Sequence, residues 1–198
     1  GTLSVDNSAY VLHVVEDGIT RRGHDAYAFP PQPPAEDLYL FNEGRNCQSY
    51  RLLGAAPEMR GSEDSDWIGG VRFRVWAPNA ERVSVVGVFN RWDGRVHQMA
   101  SLGASGVWEL FIPHLVAGDL YKFEIRNRQS GAIAVKADPY ARRFEQRPAT
   151  AACVSDGVAY AWGDGSWIGR RSMRDWLHAP MSIYEVHVGS WRRHADGR

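Results

Sequence analysis

Two cysteines in 198 residues, Cys47 and Cys153, are too few and too far apart for a disulfide-stapled scaffold. They match no metal-binding spacing and read as free thiols of a reducing compartment, so a cytoplasmic location is expected. No apolar run approaches the ~20 residues that cross a bilayer, and no leader pattern follows Gly1. Neither sign of charge is in excess. Lys+Arg and Asp+Glu are 23 each, for a formal net charge of 0. Nothing therefore pulls the chain toward nucleic acid or an anionic membrane, and neither is expected as a partner. A neutral ligand such as a sugar is compatible with this balance. Lysine is scarce: only Lys122 and Lys136 occur, and every other long cation is arginine. Catalytic signatures are missing too. There is no Gly-rich phosphate loop, no Gly-x-Ser-x-Gly elbow and no His-Glu-x-x-His. No metal or cofactor is expected.

What is present speaks in period two. Val71, Phe73 and Val75 alternate with Arg72 and Arg74. Trp108, Leu110 and Ile112 alternate with Glu109 and Phe111, and Tyr121, Phe123 and Ile125 with Lys122 and Glu124. Such runs are half-buried antiparallel strands. Turn chemistry separates them at Asp93-Gly94, Gly103 to Gly106, Gly118-Asp119 and Ser130-Gly131. The pattern predicts a mostly β protein, an immunoglobulin-like β-sandwich over 66–156. Trp76 and Trp108 are expected in its core. Glu109 and Glu124 are expected on solvated faces.

One repeat emerges. Tyr10-Val-Leu12-His-Val14 precedes Asp25-Ala-Tyr27-Ala28, and Tyr121-Lys-Phe123-Glu-Ile125 precedes Asp138-Pro-Tyr140-Ala141. Two tandem sandwiches are implied, the first represented by its last strands within 1–36, so that Gly1 falls inside a domain. Pro30-Pro31-Gln32-Pro33-Pro34 reads as a stiff spacer. Residues 37–65 form a connecting segment, with a short helix at Cys47, Tyr50 and Leu53 stopped by Gly54, then a polar loop from Gly61 to Asp66. In 157–198 a linker with one helical turn leads to a strand, Ser182 to Val188. That strand wants a partner the remaining residues do not offer. Its Ile183, Val186 and Val188 would be an aggregation hazard if uncovered.

Chemistry has few footholds. Glu185 and His187 would share a strand face, a weak acid–base signal better read as structural. Sugar transfer needs two carboxylates straddling a bond, and no such pair is nominated. No catalytic residue is assigned. Binding is better served. A pyranose stacks its C–H face on an aromatic plane while polar groups meet its hydroxyl rim. In Gly87-Val-Phe-Asn-Arg-Trp-Asp-Gly94 a tryptophan sits on a turn, where side chains face water. Trp92 either folds back onto the core or waits for a flat ligand. Asn90 and Arg91 lie beside it. Lys122, on the outward phase of its strand, either is a solvated strand lysine or presents an ammonium to the same surface. The candidate carbohydrate-binding residues are Trp92, Lys122 and Asn90.

Val75-Trp-Ala-Pro-Asn79, Gly87-Val-Phe-Asn-Arg-Trp92, Tyr121-Lys-Phe123 and Lys136-Ala-Asp-Pro-Tyr140 together resemble a family 48 carbohydrate-binding module. The flanks narrow the resemblance. Asp37-Leu-Tyr-Leu-Phe-Asn-Glu-Gly44 with Leu53-Gly-Ala55 resembles the segment between the two N-terminal sandwiches of bacterial 1,4-α-glucan branching enzymes. Tyr160-x-Trp162-x-Asp164-x-x-Trp167 and Ile183-Tyr-Glu-Val-His-Val-Gly-Ser-Trp-Arg-Arg193 resemble the entry to their α-amylase-type (β/α)₈ barrel. The resemblance implies a piece of a glycogen-synthesising glycosyltransferase, with Ser182 to Val188 as the first barrel strand. The catalytic aspartate and glutamate would lie on later strands, so this piece alone is expected to be inactive. Implied partners are α-1,4-glucans (glycogen, malto-oligosaccharides) and the remainder of the chain's own barrel. Trp92 matches the module's stacking tryptophan and Lys122 a sugar-contacting lysine. Two departures stand out: Arg128-Gln-Ser-Gly131 where several relatives have a second tryptophan, and Val88 where aspartate is usual. One missing stacking plane would weaken binding by about 1–3 kcal/mol, leaving a module that mainly braces the barrel. Close alternatives are a trehalose-releasing or debranching hydrolase with the same module, and a non-catalytic glucan-binding scaffold.

Overall fold

The computed structural model describes residues 11–16, 18–61, 67–157 and 161–191. Tyr10, the loop residues 62–66, Tyr160, Arg192 and Arg193, all used above, lie outside the described residues. The chain divides into two compact units, Gly1–Val158 and Ala159–Arg198.

The first unit opens with a hairpin, β1 (Val11–Glu16) and β2 (Ile19–His24). Asp25 Oδ1 then accepts from the Tyr27 N–H at 3.0 Å. Helix α1 (Ala35–Asn42) follows the prolines, with Glu36 and Asp37 in its first turn where the helix dipole favours acids. The expected short helix is a single turn, α2 (Ser49–Leu52). Gly54, at φ +90°, then starts β3 (Gly54–Arg60), within the span read as a connecting segment. Pro57 hid this strand from a propensity reading, since proline cannot donate to a ladder. It is tolerated because β3 is an edge strand.

The remaining strands are β4 (Ile68–Trp76), β5 (Ala80–Gly87), β6 (Ala100–Ser101), β7 (Val107–Pro113), β8 (Leu120–Asn127), β9 (Ile133–Lys136) and β10 (Ala152–Cys153). One sheet has the order β3-β4-β7-β6. The other has β10-β8-β5, with β9 also paired to β8. Their pairings are antiparallel. The expected alternation fills the space between them. Val71, Phe73 and Val75 from β4, Val83 and Val85 from β5, Trp108, Leu110 and Ile112 from β7, and Tyr121 and Phe123 from β8 form one core. The expected β-sandwich is the observed architecture. The second half of the repeat is visible as well: the β8–β9 hairpin is followed by Asp138, whose Oδ1 accepts from the Tyr140 N–H at 2.8 Å. This is the turn that Asp25 makes after β1–β2.

Four expectations are corrected. Trp108 is in the core and donates its indole N–H to the Ala77 carbonyl. Trp76 is not: it follows Val75 on the opposite phase, is exposed, and meets Phe41 of α1 edge-on at 6.3 Å. Glu109 is not solvated but 0 % exposed. Its Oε1 accepts from Arg60 at 2.8 Å and from the Gln32 N–H at 3.0 Å, and its Oε2 from Arg74 at 2.7 Å. Glu124 is half-buried and pairs with Arg82 at 2.7 Å. Finally, the proline-rich stretch is not a free spacer. Arg60 and Arg74 donate to the carbonyls of Pro30 and Gln32, and Phe29 packs edge-on against Phe111 at 5.0 Å. Together with α1 and α2, whose Leu38, Phe41 and Leu52 pack toward Val107, this strap covers the outer face of the β3-β4-β7 layer.

In the second unit, α3 (Gly165–Arg171) carries Trp167, with the Arg171 guanidinium 5.8 Å from its ring centre. The expected strand over Ser182–Val188 is absent. Residues 181–187 have no regular structure, and α4 (Val188–Trp191) follows. A strand is held by its ladder partners, and among the described residues of this unit the regular elements are two helices. His187 Nδ1 lies 2.9 Å from Ser190 Oγ. Among the described residues no helix is long and apolar enough to cross a membrane.

Candidate functional site

Gly87 ends β5, and a tight 3₁₀ turn, Val88–Asn90, follows. Arg91 and Trp92 then both take left-handed backbone conformations, at φ 56° and 60°. Two consecutive non-glycine residues there cost of order 1–2 kcal/mol each and must be held by their surroundings. The turn expected at Asp93-Gly94 thus carries its left-handed residues just before that dipeptide, on Arg91 and Trp92. Gly94 lets the loop lie close to β8: a Cβ at this position would meet the Glu124 carboxylate that Arg82 holds, and that side chain would have to shift.

Asn90 holds the strained turn. Its Oδ1 accepts from the Gly87 N–H and its Nδ2 donates to the Val85 carbonyl, both at 2.9 Å. The other Nδ2 hydrogen points to His97 Nδ1, also at 2.9 Å. An amide NH₂ only donates, so His97 Nδ1 is the acceptor and the imidazole is neutral. Burial likewise depresses the His97 pKa below its ordinary value. Asn90 is 7 % exposed. It is therefore corrected from a sugar-contacting residue to the brace of the loop, because its amide is committed to the protein. The Trp92 N–H closes the loop onto the Gly87 carbonyl at 2.8 Å.

The bracing leaves the Trp92 indole 41 % exposed. It lines a cleft of about 370 Å³ together with Lys122, Val86, Val135, Glu145 and Thr150. Lys122 stands opposite Val86 in the β5–β8 ladder, and its Nζ donates to Thr150 Oγ1 at 2.7 Å. Two candidates thirty positions apart thus share one cleft, on the outer face of the β5-β8-β9 layer. Sequence reasoning missed Val135, Glu145 and Thr150. The hairpin alternation carried a signal for Val135. It stands opposite Glu124, and so on the same face as Lys122. The β8–β9 hairpin therefore contributes Val135 rather than its turn 128–131. Glu145 and Thr150 lie on the connection into β10, where no periodicity marks a facing side. Glu145 Oε2 accepts from the Ala151 N–H at 2.9 Å and shapes that wall.

Residues 52–141 match carbohydrate-binding module 48, the isoamylase N-terminal domain. The module's match starts beside β3 and ends just after Asp138, so both Trp92 and Lys122 lie within it. Over 194 residues the chain is 61 % identical to the 1,4-α-glucan branching enzyme GlgB of Nitrosospira multiformis, spanning 95 % of this chain and 25 % of that protein. Over 181 residues it is 59 % identical to the GlgB of Nitrosomonas europaea, spanning 91 % and 24 %. The chain thus corresponds to about a quarter of each relative it matches. Ligand-free PulA from Klebsiella pneumoniae is 27 % identical, at TM-score 0.41, over 54 % of this chain and 10 % of that one.

Proposed function

We propose that the module is an α-glucan-binding sandwich belonging to a cytoplasmic 1,4-α-glucan branching enzyme of glycogen synthesis, and that this chain supplies binding rather than catalysis. The observation that carries the proposal is the meeting of an exposed, braced indole and an ammonium in one cleft. Trp92 offers its plane to the C–H face of a glucose ring, a contact worth about 1–3 kcal/mol at comparable stacking sites. An ammonium has three N–H donors, so its bond to Thr150 leaves Lys122 capacity for a sugar hydroxyl. Residues 1–36 would be the end of a first sandwich and its strap, and 37–65 the connection that supplies edge strand β3. Residues 66–156 are the body of the binding sandwich, and 157–198 the approach to an α-amylase-type barrel. Chain transfer from an α-1,4 to an α-1,6 position would then fall to carboxylates of that barrel, which is the chain's own partner. The high identity to the two GlgB proteins supports this placement.

Affinity electrophoresis through glycogen-containing gels tests the binding. The chain is expected to be retarded, and Trp92→Ala is expected to run as though glycogen were absent. Retardation unchanged by that substitution would overturn Trp92 as the platform.

A further inference from the structure

We propose that the glucan surface does not stop at the Trp92 cleft but runs along the loop 88–99 onto Tyr27 and the prolines of the strap. The inference rests on the reading of Trp92 as a sugar platform and extends it to a residue outside the matched span 52–141.

Tyr27 sits in the 3₁₀ turn Ala26–Ala28 that Asp25 caps. Its hydroxyl donates to the Val96 carbonyl at 3.1 Å and accepts from the Gln98 N–H at 2.8 Å. Those two bonds use both roles of a phenol and fix the ring. Yet the residue stays 54 % exposed. A ring fixed without being buried loses little freedom when something flat stacks on it, which is what a binding platform needs. Beside it lies another cleft of about 620 Å³, lined among others by Tyr27, Phe29, Pro30, Pro31, Gln98 and Met99. The exposed Tyr27 ring and the pyrrolidine faces beside the Gln98 amide resemble the Trp92 cleft in kind, apolar planes with hydrogen-bonding groups at the rim, although there those groups are an ammonium, a carboxylate and a hydroxyl.

The loop joins the two clefts. Trp92 and Val96 are four residues apart, so their Cα atoms are separated by at most about 14 Å. The Val96 N–H bonds back to the Asp93 carbonyl at 3.3 Å, which keeps the path compact. A single sugar ring on Trp92 would not feel Tyr27. A chain of several α-1,4-linked units would. The occupant is therefore the same polymer, and the observable consequence is a dependence of affinity on chain length.

Calorimetric titration of maltotriose and maltoheptaose into the 198-residue chain, Trp92→Ala, Tyr27→Ala and Tyr27→Phe tests this. Tyr27→Ala is expected to weaken maltoheptaose about tenfold and leave maltotriose unchanged. Tyr27→Phe keeps the ring plane but loses the two bonds that fix it, and is expected to fall between Tyr27→Ala and the parent chain. Equal losses for both sugars in Tyr27→Ala, or a Tyr27→Phe as weak as Tyr27→Ala, would assign Tyr27 to the fold and overturn the inference. A Tyr27→Ala that binds maltoheptaose like the parent chain overturns only this extension. A Trp92→Ala that binds maltotriose like the parent overturns the reading of the Trp92 cleft instead.

Discussion

The two outer faces of this sandwich carry the same kind of sequence and have opposite fates. On β4 and β7, Arg72, Arg74 and Glu109 alternate with core residues. On β8, Lys122 and Glu124 do the same. The β4–β7 set is sealed under the strap and the helices. On β8, Glu124 is half-buried against Arg82, while Lys122 borders an open cleft. Alternation reports which residues leave the core, and it does not report whether water or another layer meets them. What separates the faces is the inventory of partners. On the sealed face each charge has an ionic partner, with Arg60, Arg72 and Arg74 sharing the carboxylates of Glu58 and Glu109. The open face sets Lys122, which donates to the neutral Thr150 hydroxyl, beside an indole.

The comparison breaks most severely at Glu109. Removing one member of a buried ionic cluster leaves the other charges uncompensated, a loss of about 3–5 kcal/mol. Domains of this size have only about 5–15 kcal/mol in total. Glu109→Ala is expected to lower the denaturant midpoint sharply and to free the strap. Amide exchange at Gln32, whose N–H bonds Glu109, is expected to accelerate with it. The pH dependence has a definite sign. Burial alone would raise the Glu109 pKa, but the Arg60 and Gln32 hydrogen bonds and the Arg74 charge outweigh it and hold the carboxyl below its ordinary value. Its contribution is therefore complete above the unfolded value near ~4.3 and is lost as pH falls through the lower folded value. Glu109→Gln is expected to flatten that part of an acid-unfolding curve.

Asn90 sharpens the comparison on the open face. Asn90→Ala strands the Gly87 N–H and the Val85 carbonyl, at about 1–3 kcal/mol. Glycogen retardation and melting temperature are expected to fall together. Trp92→Ala is expected to remove retardation at a melting temperature no lower than that of Asn90→Ala. A variant at Asn90 that loses binding with unchanged stability would return it to direct sugar contact.

Much of this was legible in the residues. Val71, Phe73 and Val75 marked one sheet, and Tyr121 and Phe123 the other, because an antiparallel strand with one core face must alternate. Trp92 and Lys122 were legible as chemistry, since an indole on a turn and one of only two lysines are each unusual. The layer outside β4 and β7 was not legible. The strap is held through backbone carbonyls of Pro30 and Gln32, which no side-chain pattern encodes. Asn90 misled for a related reason: an asparagine beside a tryptophan looks the same whether its amide faces a sugar or the Val85 carbonyl. The strand expected over Ser182–Val188 rested on composition alone, and composition cannot supply a ladder.

A gentler test uses His97. Its Nδ1 accepts from Asn90 only while the ring is neutral, and burial keeps its folded pKa below the ordinary value near 6.5. Because that value is depressed, the contribution is complete above pH ~6.5 and is lost as pH falls through the folded value. Glycogen retardation is expected to weaken over that lower range. His97→Gln, whose carbonyl oxygen can accept the same bond at any pH, is expected to abolish the dependence. An unchanged pH profile in His97→Gln would place the titrating group elsewhere.

The smallest effect belongs to Asp93 and Arg95, beside Trp92 on the same loop. Arg95 holds the Asp93 pKa down to about 2, chiefly through their side-chain hydrogen bonds and then through its own backbone N–H. So large a shift would suggest a strong contribution to the loop. Arg95, however, is open to solvent and Asp93 is only half-buried, so screening and lost side-chain freedom consume most of what the ion pair gains. Arg95→Ala is therefore expected to raise the Asp93 pKa while leaving melting temperature and glycogen retardation where they were. The rise should stop short of an ordinary carboxylate, because the backbone N–H at position 95 still reaches Oδ1. Carboxyl-carbon NMR titration reads the first quantity. A loss of retardation in this variant would mean that Trp92 is aimed by its charged neighbours and not by Asn90, and the open face would then resemble the sealed one after all.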